Sequence, residues 1–169
     1  MTPYLPLEIA IRNIQFARNY THTLLDDLQD EDWFCMPDGQ ISHIAWQVGH
    51  LAMAQYALTM IRIRGKEPDD AEFISNAFFK TFKKGTKPLS DPTAYPSLEE
   101  IKTVFDAVHA QAMAELPDCS EEELNQPLPE PHAAFNTKLG SLYFCANHEM
   151  LHAGQIGLIR RMIGKDPVR

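Results

Sequence analysis

The chain has 169 residues, 44% of them hydrophobic, and a formal net charge of −8 from 15 Lys and Arg against 23 Asp and Glu. This length and composition are typical of one globular domain that buries its own core, so we expect residues 1–169 to form a single domain. The acidic balance argues against a nucleic-acid partner, because phosphate binding requires a basic surface.

Two amphipathic helices are predicted in the first part of the chain. Apolar residues recur at helical spacing from Leu7 to Leu28, and Arg18 lies off this stripe, on the face assigned to solvent. A second pattern of the same kind runs from Ser42 to Arg64. Ser42 is expected to cap its start, and Gly65 is expected to end it.

Residues 66–96 form the least regular part of the chain. Its second half cannot form a long helix because of three prolines, Pro88, Pro92 and Pro96. A short helix or a loop that packs onto the body is predicted from four phenylalanines, Phe73, Phe78, Phe79 and Phe82. We interpret the stretch as a solvated loop rather than a basic binding patch, although it contains Lys80, Lys83, Lys84 and Lys87.

Two further helices are predicted in the second half of the chain. Ser97 and Glu100 have the spacing of a capping box, and an apolar helical stripe follows over residues 101–116. A polar connection with three prolines comes next. The last helix is expected to begin near Thr137 and to end at Ile163, with Gly164 as its C′ residue.

The predicted fold class is all-α. No stretch alternates polar and apolar residues over a useful length, so no strand is predicted. Long helices joined by proline-bearing connections indicate a four-helix bundle with one or two long crossover connections.

The last predicted helix carries the sequence His148-Glu149-Met150-Leu151-His152, an HExxH pattern. Histidines at this spacing lie about 5–6 Å apart at Cβ, so their imidazoles can bind one metal ion. We therefore predict that His148 and His152 bind a divalent metal. A zinc peptidase takes its third ligand, a glutamate or a histidine, from further along the chain, but residues 153–169 contain neither. The third ligand is therefore expected upstream.

The upstream histidines are His22, His43, His50, His109 and His132. His50 lies in an apolar stretch of the second helix, where it needs a strong partner because burying an unpaired polar group is costly. His43 lies near the start of that helix and is expected to contact solvent or to support a metal ligand. Cys145, one turn before His148, could be a fourth ligand or a redox thiol, but a small buried hydrophobic role is favoured.

Two segments together resemble one known family. Residues 42–52 place one histidine on the second helix, and residues 148–155 read H-x-x-x-H-x-G-Q. This combination resembles the DinB/YfiT-like superfamily of metalloenzymes, which the helix order and the long 66–96 connection also suit. The resemblance implies an unusual four-helix bundle of the DinB/YfiT type with a three-histidine metal centre. Carried over position by position, the ligands are His50, His148 and His152.

The resemblance leaves several functions open. Characterised relatives include thiol-dependent S-transferases and a mycothiol-dependent isomerase, and others are stress-induced proteins. Three neutral imidazoles leave a metal its charge and an open position, where a thiol or a water would be acidified. Our first hypothesis is an S-transferase-like enzyme that activates a low-molecular-weight thiol. The alternatives are a metal-dependent hydrolase using a metal-bound water, and a non-catalytic metal-binding stress-response protein or dimerisation module.

Three other side chains have two interpretations each. Glu149 is either a general base or a supporting or surface carboxylate, since it points about 100° away from His148 around the helix. Trp46 and Gln155 either line the pocket or pack in the core. The catalytic residues therefore stay open.

The expected cofactor is a divalent metal ion. Zinc or nickel is expected first, with iron, manganese or cobalt as alternatives, because imidazole binds most of these ions and availability often decides. The expected partner is a small-molecule substrate, and a homodimer formed through a helix face is also expected. We expect no signal peptide and no membrane span, because long apolar runs are absent. Three widely spaced cysteines without a CxxC pair fit a reducing, cytoplasmic location.

Overall fold

The computed structural model describes residues 4–38 and 42–168. The helices in these ranges are α1 (Leu5–Leu25), α2 (Asp30–Trp33), α3 (Ile44–Tyr56), α4 (Arg62–Arg64), α5 (Asn76–Phe82), α6 (Leu98–Glu115), α7 (Glu121–Leu124) and α8 (Lys138–Met162). A π-helical turn, Ala57–Ile61, joins α3 to α4. Short 3₁₀ turns lie at Pro68–Glu72, Pro92–Ala94 and Leu116–Asp118. The strands are β1 (Pro127–His132) and β2 (Phe135–Thr137).

Four long helical segments form the body of the protein: α1, α3 continued into α4, α6 and α8. Helix α1 packs along α8, and α3 packs against both α6 and α8. Their facing sides supply the main core, which includes Leu24, Val48, Phe105 and Ile156. The predicted all-α bundle is confirmed, with long connections over residues 65–97 and 116–137. No helix in the described ranges is both long enough and apolar enough to cross a membrane.

The caps of the later helices follow the sequence signals. Ser97 Oγ accepts a hydrogen bond from the backbone N–H of Glu100 at 3.1 Å, and Thr137 Oγ1 accepts one from Gly140 at 3.1 Å. Gly164 ends α8 with φ at +88°, a left-handed conformation that glycine adopts without steric cost. These local signals therefore predicted the start of α6 and both ends of α8 to within a residue.

The start of α3 differs from the prediction. His43, not Ser42, is the N-cap residue, and its Nδ1 accepts a hydrogen bond from the Trp46 backbone N–H at 3.1 Å. Its Nε2 donates to the carbonyl of Leu89 at 3.0 Å. The side chain is fully buried, so the expected solvent contact was wrong. An imidazole can replace a serine hydroxyl here because one ring nitrogen accepts while the other donates.

The two-stranded hairpin was not predicted. Strand β1 pairs antiparallel with β2, with Pro127 opposite Thr137 and His132 opposite Phe135. The prolines of β1 occupy alternate positions. Proline has no N–H to donate to a strand pair, and the pairing is irregular between Pro127 and His132. The proline-bearing sequence was therefore predicted to be an irregular connection, although it forms one strand of a hairpin.

The segment between the second and third long helices contains a short helix rather than only a loop. Helix α5 packs against α3 and buries Phe78 and Phe82 in the main core. Of the two structures that the phenylalanines predicted, a short helix or a packed loop, the short helix is the one observed. The backbone of α5 therefore lies beside His50, one of the three histidines expected to bind metal.

Candidate metal centre

The three histidines selected from the sequence lie together. His50 is on α3, and His148 and His152 lie one turn apart on α8. One ring nitrogen from each can be chosen so that all three lie within 4.8 Å of one another. These histidines could therefore hold one metal ion, with two ligands from the last helix and one from the helix packed against it.

The ring of His50 is oriented by the backbone of α5. Its Nδ1 lies 2.7 Å from the carbonyl oxygen of Phe82, so Nδ1 carries the proton and donates it to this oxygen. The other nitrogen, Nε2, is then unprotonated and available as a ligand. Phe82 reaches this position because the facing residue of α3 is Gly49, where a Cβ atom would lie only 2.5 Å from Cζ of the Phe82 ring.

The ring of His152 is oriented by a side chain, Gln47. Its Nδ1 hydrogen-bonds to Oε1 of Gln47. The amide nitrogen of Gln47 donates to Ser42 Oγ at 2.8 Å and to Gln155 Oε1 at 3.0 Å. Because both acceptors lie on the nitrogen side, the oxygen of Gln47 is the atom that faces His152. Nε2 of His152 is therefore also the free nitrogen.

The site favours neutral imidazoles. Burial lowers the pKa of His50, and it lowers the pKa of His148 to about 4 and that of His152 to about 3, with smaller contributions from the neighbouring histidines. A neutral imidazole is the form that binds a metal ion. In the described ranges this group contains no carboxylate. Three neutral nitrogen donors fit a divalent ion that keeps its charge and an open position.

Glu149 faces away from this group. Its carboxylate binds the guanidinium of Arg18, with Nε 2.8 Å from Oε1 and Nη2 3.4 Å from Oε2. Both side chains are almost completely buried, at 1% and 2% exposure. The assignment of Arg18 to the solvated face of α1 was therefore wrong. The surface interpretation of Glu149 was therefore wrong, and its buried ion pair with Arg18 favours a structural role in the core over a general base.

The other candidates lie outside the group of three. Cys145 is buried in the second core cluster, and burial raises the pKa of its thiol, so the hydrophobic role is the one the structure supports. His109 lies beside Gln55, with Nδ1 3.0 Å from the amide nitrogen. His22 is half-buried, and its Nε2 lies 3.2 Å from Oδ1 of Asp106. Gln47 was missed, although a polar residue one turn before His50 in an apolar helix was a readable signal.

Two cavities reach the histidines and share no lining residue. The first has a volume of about 610 Å³ and is lined by His50, His148 and mostly apolar side chains. Lys83 and Lys84, which the sequence placed in a solvated loop, are exposed but also line it. The second has a volume of about 690 Å³ and its lining includes His152. Trp46 and Gln155 line this second cavity too.

A helical bundle that carries a candidate three-histidine metal centre is the class of protein that this fold and site define. The chain belongs to the DinB superfamily, whose family model matches residues 13–156. That span includes all three histidines, and it confirms the resemblance seen in the sequence.

Two solved structures share the fold. A conserved protein from Enterococcus faecalis matches with a TM-score of 0.69 and 16% identity, over 94% of this chain and 97% of that one. YfiT from Bacillus subtilis matches with a TM-score of 0.59 and 14% identity, over 95% of this chain and 89% of that one. YfiT is described as a probable metal-dependent hydrolase with an unusual four-helix bundle topology. No curated protein matches the chain.

Proposed function

We propose that the protein is a metal-dependent hydrolase whose divalent ion is held by His50, His148 and His152. The observation that carries this proposal is the convergence of three neutral imidazole nitrogens, within 4.8 Å of one another, beside a cavity. The description of YfiT, which has the same fold, supports hydrolysis over the thiol-dependent alternative. Zinc or nickel is the proposed metal.

The chain's own residues prepare this site in three ways. The Phe82 carbonyl and the Gln47 amide hold two of the ligands in one tautomer. The Trp46 ring stacks on His50, with centroids 4.9 Å apart and planes 8° apart, and so shields that imidazole from water. The apolar walls of the first cavity offer contact area to the carbon skeleton of a substrate. A divalent ion held there supplies a Lewis acid that lowers the pKa of a water at its open position.

The proposed reaction uses no glutamate base from the HExxH pattern. In the peptidases with that pattern, the glutamate takes a proton from the attacking water. Both oxygens of Glu149 are instead bound by Arg18. This arrangement favours small, activated substrates such as esters over peptides, because in the described part of the chain no carboxylate joins the three histidines.

Metal analysis of single histidine variants tests the ligand assignment. We expect one divalent ion per chain in the wild type and its loss in His50→Ala, His148→Ala and His152→Ala. His22→Ala is the matched control, because His22 is a histidine outside the group. Full metal occupancy in all three ligand variants would overturn the proposal.

A panel of p-nitrophenyl esters tests the reaction itself. We expect turnover that a chelator abolishes and that added zinc or nickel restores. The same loss is expected in the three histidine variants but not in His22→Ala. Ester turnover that survives complete removal of the metal would contradict a metal-dependent hydrolase.

A thiol-dependent S-transferase is the second candidate, favoured by the two separate cavities at the histidines. One molecule could lie beside His50 and His148 and another beside His152. Among the described residues no cysteine belongs to the histidine group, and burial raises the pKa of the Cys145 thiol. Titration of low-molecular-weight thiols into the cobalt-substituted protein separates the candidates. A thiolate-to-cobalt absorption band would favour the transferase, and ester turnover without such a band would favour the hydrolase.

A further inference from the structure

The first cavity has a positively charged rim that the metal site does not require. Arg62, Lys83 and Lys84 line it together with His50 and His148. No aspartate or glutamate is among its lining residues in the described ranges. The chain carries a formal net charge of −8, so a cavity whose charged lining residues are all cations differs from the average surface of the chain.

Within residues 4–38 and 42–168, these three cations have no ionic partner. Carboxylates bind other arginines of the bundle, namely Arg18, Arg64 and Arg160. Among the described residues, no carboxylate oxygen lies within 4.0 Å of the charged nitrogens of Arg62, Lys83 or Lys84. The guanidinium of Arg62 instead lies 5.2 Å from the centre of the Phe135 ring. Their charge is therefore available to a bound molecule.

His132 adds a neutral donor to the same cavity. Its Nδ1 accepts a hydrogen bond from the backbone N–H of Ala134 at 3.2 Å, so Nε2 carries the proton. His132 lines the first cavity. Burial lowers the pKa of His132, and the positive charges of Arg62 and Lys84 lower it further. The two cations therefore act on the same part of the cavity as His132.

The rest of the cavity is apolar. Phe79 and Phe144 supply aromatic surface, and Met53 and Leu58 supply aliphatic surface. Leu58 belongs to the π turn that leads into Arg62, and both residues line the cavity. A π turn is uncommon in helices and often lies at a functional site. A volume of about 610 Å³ is in the range of small-molecule pockets.

We propose that this cavity binds a small anionic molecule with an apolar body. Arg62, Lys83 and Lys84 hold its negative group, and its body lies against Phe79 and Phe144. The proposal names the substrate class of the proposed hydrolase and rests on that function for its reaction. Binding itself requires only the cavity.

The test compares 4-phenylbutyrate with the neutral 4-phenylbutanamide, which has the same body. Binding is followed by NMR amide shifts at pH 8 in protein freed of metal by a chelator, since a carboxylate could otherwise coordinate the ion. We expect the carboxylate to bind about tenfold tighter than the amide, or more, because a hydrogen bond to a charged group is worth roughly 1.5–3 kcal/mol.

The triple variant Arg62→Gln, Lys83→Gln, Lys84→Gln is expected to abolish this preference and to leave binding of the amide unchanged. The matched control is Arg12→Gln, Lys80→Gln, Arg161→Gln, which removes the same charge from exposed positions outside both cavities. The control is expected to keep the preference. Circular dichroism of both triple variants checks that they are folded.

Three results would each overturn the proposal: equal affinity for the two compounds, absence of saturable carboxylate binding, or an equal loss of preference in both triple variants. Turnover and metal play no part in this experiment. A negative result in this binding experiment therefore does not affect the hydrolase proposal. Full metal occupancy in the histidine variants would contradict the hydrolase proposal but would not affect the proposed anion-binding cavity.

Discussion

Arg18 and Glu149 form a buried ion pair at the point where the four long helices meet. The guanidinium of Arg18 on α1 binds Glu149 on α8, and it also donates to the Phe105 carbonyl on α6 and to Gln55 Oε1 on α3, both at 2.6 Å. It lies over the Phe105 ring, 3.5 Å from its centre. The glutamate between the two histidines of α8 is thus part of the core, and its carboxylate is bound by Arg18 rather than directed at the three histidines.

Glu149→Gln is expected to lower stability and to leave the metal site intact. The change keeps the shape of the side chain but leaves the Arg18 guanidinium buried without a counter-charge. Breaking a buried pair in this way typically costs about 3–5 kcal/mol. We expect a loss of that size in the free energy of unfolding, measured by urea denaturation, while metal content per folded chain stays at the wild-type level.

The double variant Arg18→Met, Glu149→Met provides the matched control. Replacing both members of a buried pair with apolar side chains is often neutral. We expect it to recover most of the stability that Glu149→Gln loses. Wild-type stability combined with abolished ester turnover in Glu149→Gln would instead identify Glu149 as the base.

Gly49→Ala is expected to weaken the metal site through Phe82. A Cβ atom at residue 49 would overlap the buried Phe82 ring, whose backbone carbonyl orients His50. Overpacking of a core typically costs about 1–3 kcal/mol. We expect a loss of stability in that range and a weaker affinity for zinc, measured by competition with a chromophoric chelator.

Gly154→Ala is the control for this change. Gly154 is also inside a long helix, on α8, but beyond its own stretch of helix no atom of the described residues lies within 4 Å of the place that a Cβ atom would take. Alanine should stabilise a helix there by about 0.5–1 kcal/mol. Unchanged zinc affinity in Gly49→Ala would show that the position of Phe82 does not matter to His50.

Local spacing explains why the grouping of the histidines could be predicted. His148 and His152 lie one turn apart on any helix, so their proximity does not depend on tertiary structure. His50 came from the resemblance, and its apolar setting agreed because a buried histidine needs a partner. The orienting contacts required the fold, since the Phe82 carbonyl is a backbone group that leaves no residue-type signal.

Two of the errors concern pairing over long sequence distances, which leaves no periodic pattern. Arg18 was assigned to solvent because it is charged, but its partner lies 131 residues away. The expected solvent contact of His43 was wrong because its Nε2 donates to the carbonyl of Leu89, 46 residues away. The β1–β2 pairing was masked by prolines that removed the usual strand signal.

Gln47→Leu is expected to reduce metal affinity because His152 loses the group that sets its tautomer. Substituting a residue that orients a metal ligand typically costs about 10–100-fold in affinity. Zinc competition against a chromophoric chelator measures the change. Gln47→Glu keeps an oxygen facing His152 and should retain more affinity than Gln47→Leu.

Gln126→Leu controls for the loss of a glutamine, because Gln126 is exposed and far along the chain from the histidines. We expect wild-type zinc affinity for it. Equal affinities of Gln47→Leu and Gln47→Glu would indicate that Gln47 contributes packing rather than orientation.

Asp70 is the centre of a second buried polar cluster, and it predicts how stability depends on pH. Its carboxylate accepts hydrogen bonds from Arg64 and from the Tyr56 hydroxyl, both at 2.7 Å, and from the Glu67 backbone N–H at 2.9 Å. Burial alone would raise the pKa of Asp70. The hydrogen bonds from Arg64, Glu67 and Tyr56 outweigh burial and lower the pKa below its ordinary value of 3.8.

A group whose pKa is lower in the folded state stabilises the protein above its unfolded pKa, and this contribution is lost as the pH falls through the folded pKa. Asp70→Asn should therefore cost about 1–3 kcal/mol at pH 7, the penalty for unpaired buried polar groups. The difference from the wild type, measured by urea unfolding at several pH values, should shrink below about pH 4. The exposed neighbour Asp69 provides the control, and Asp69→Asn should change little. A cost for Asp70→Asn that stayed constant down to pH 2 would mean that shape rather than charge accounts for it.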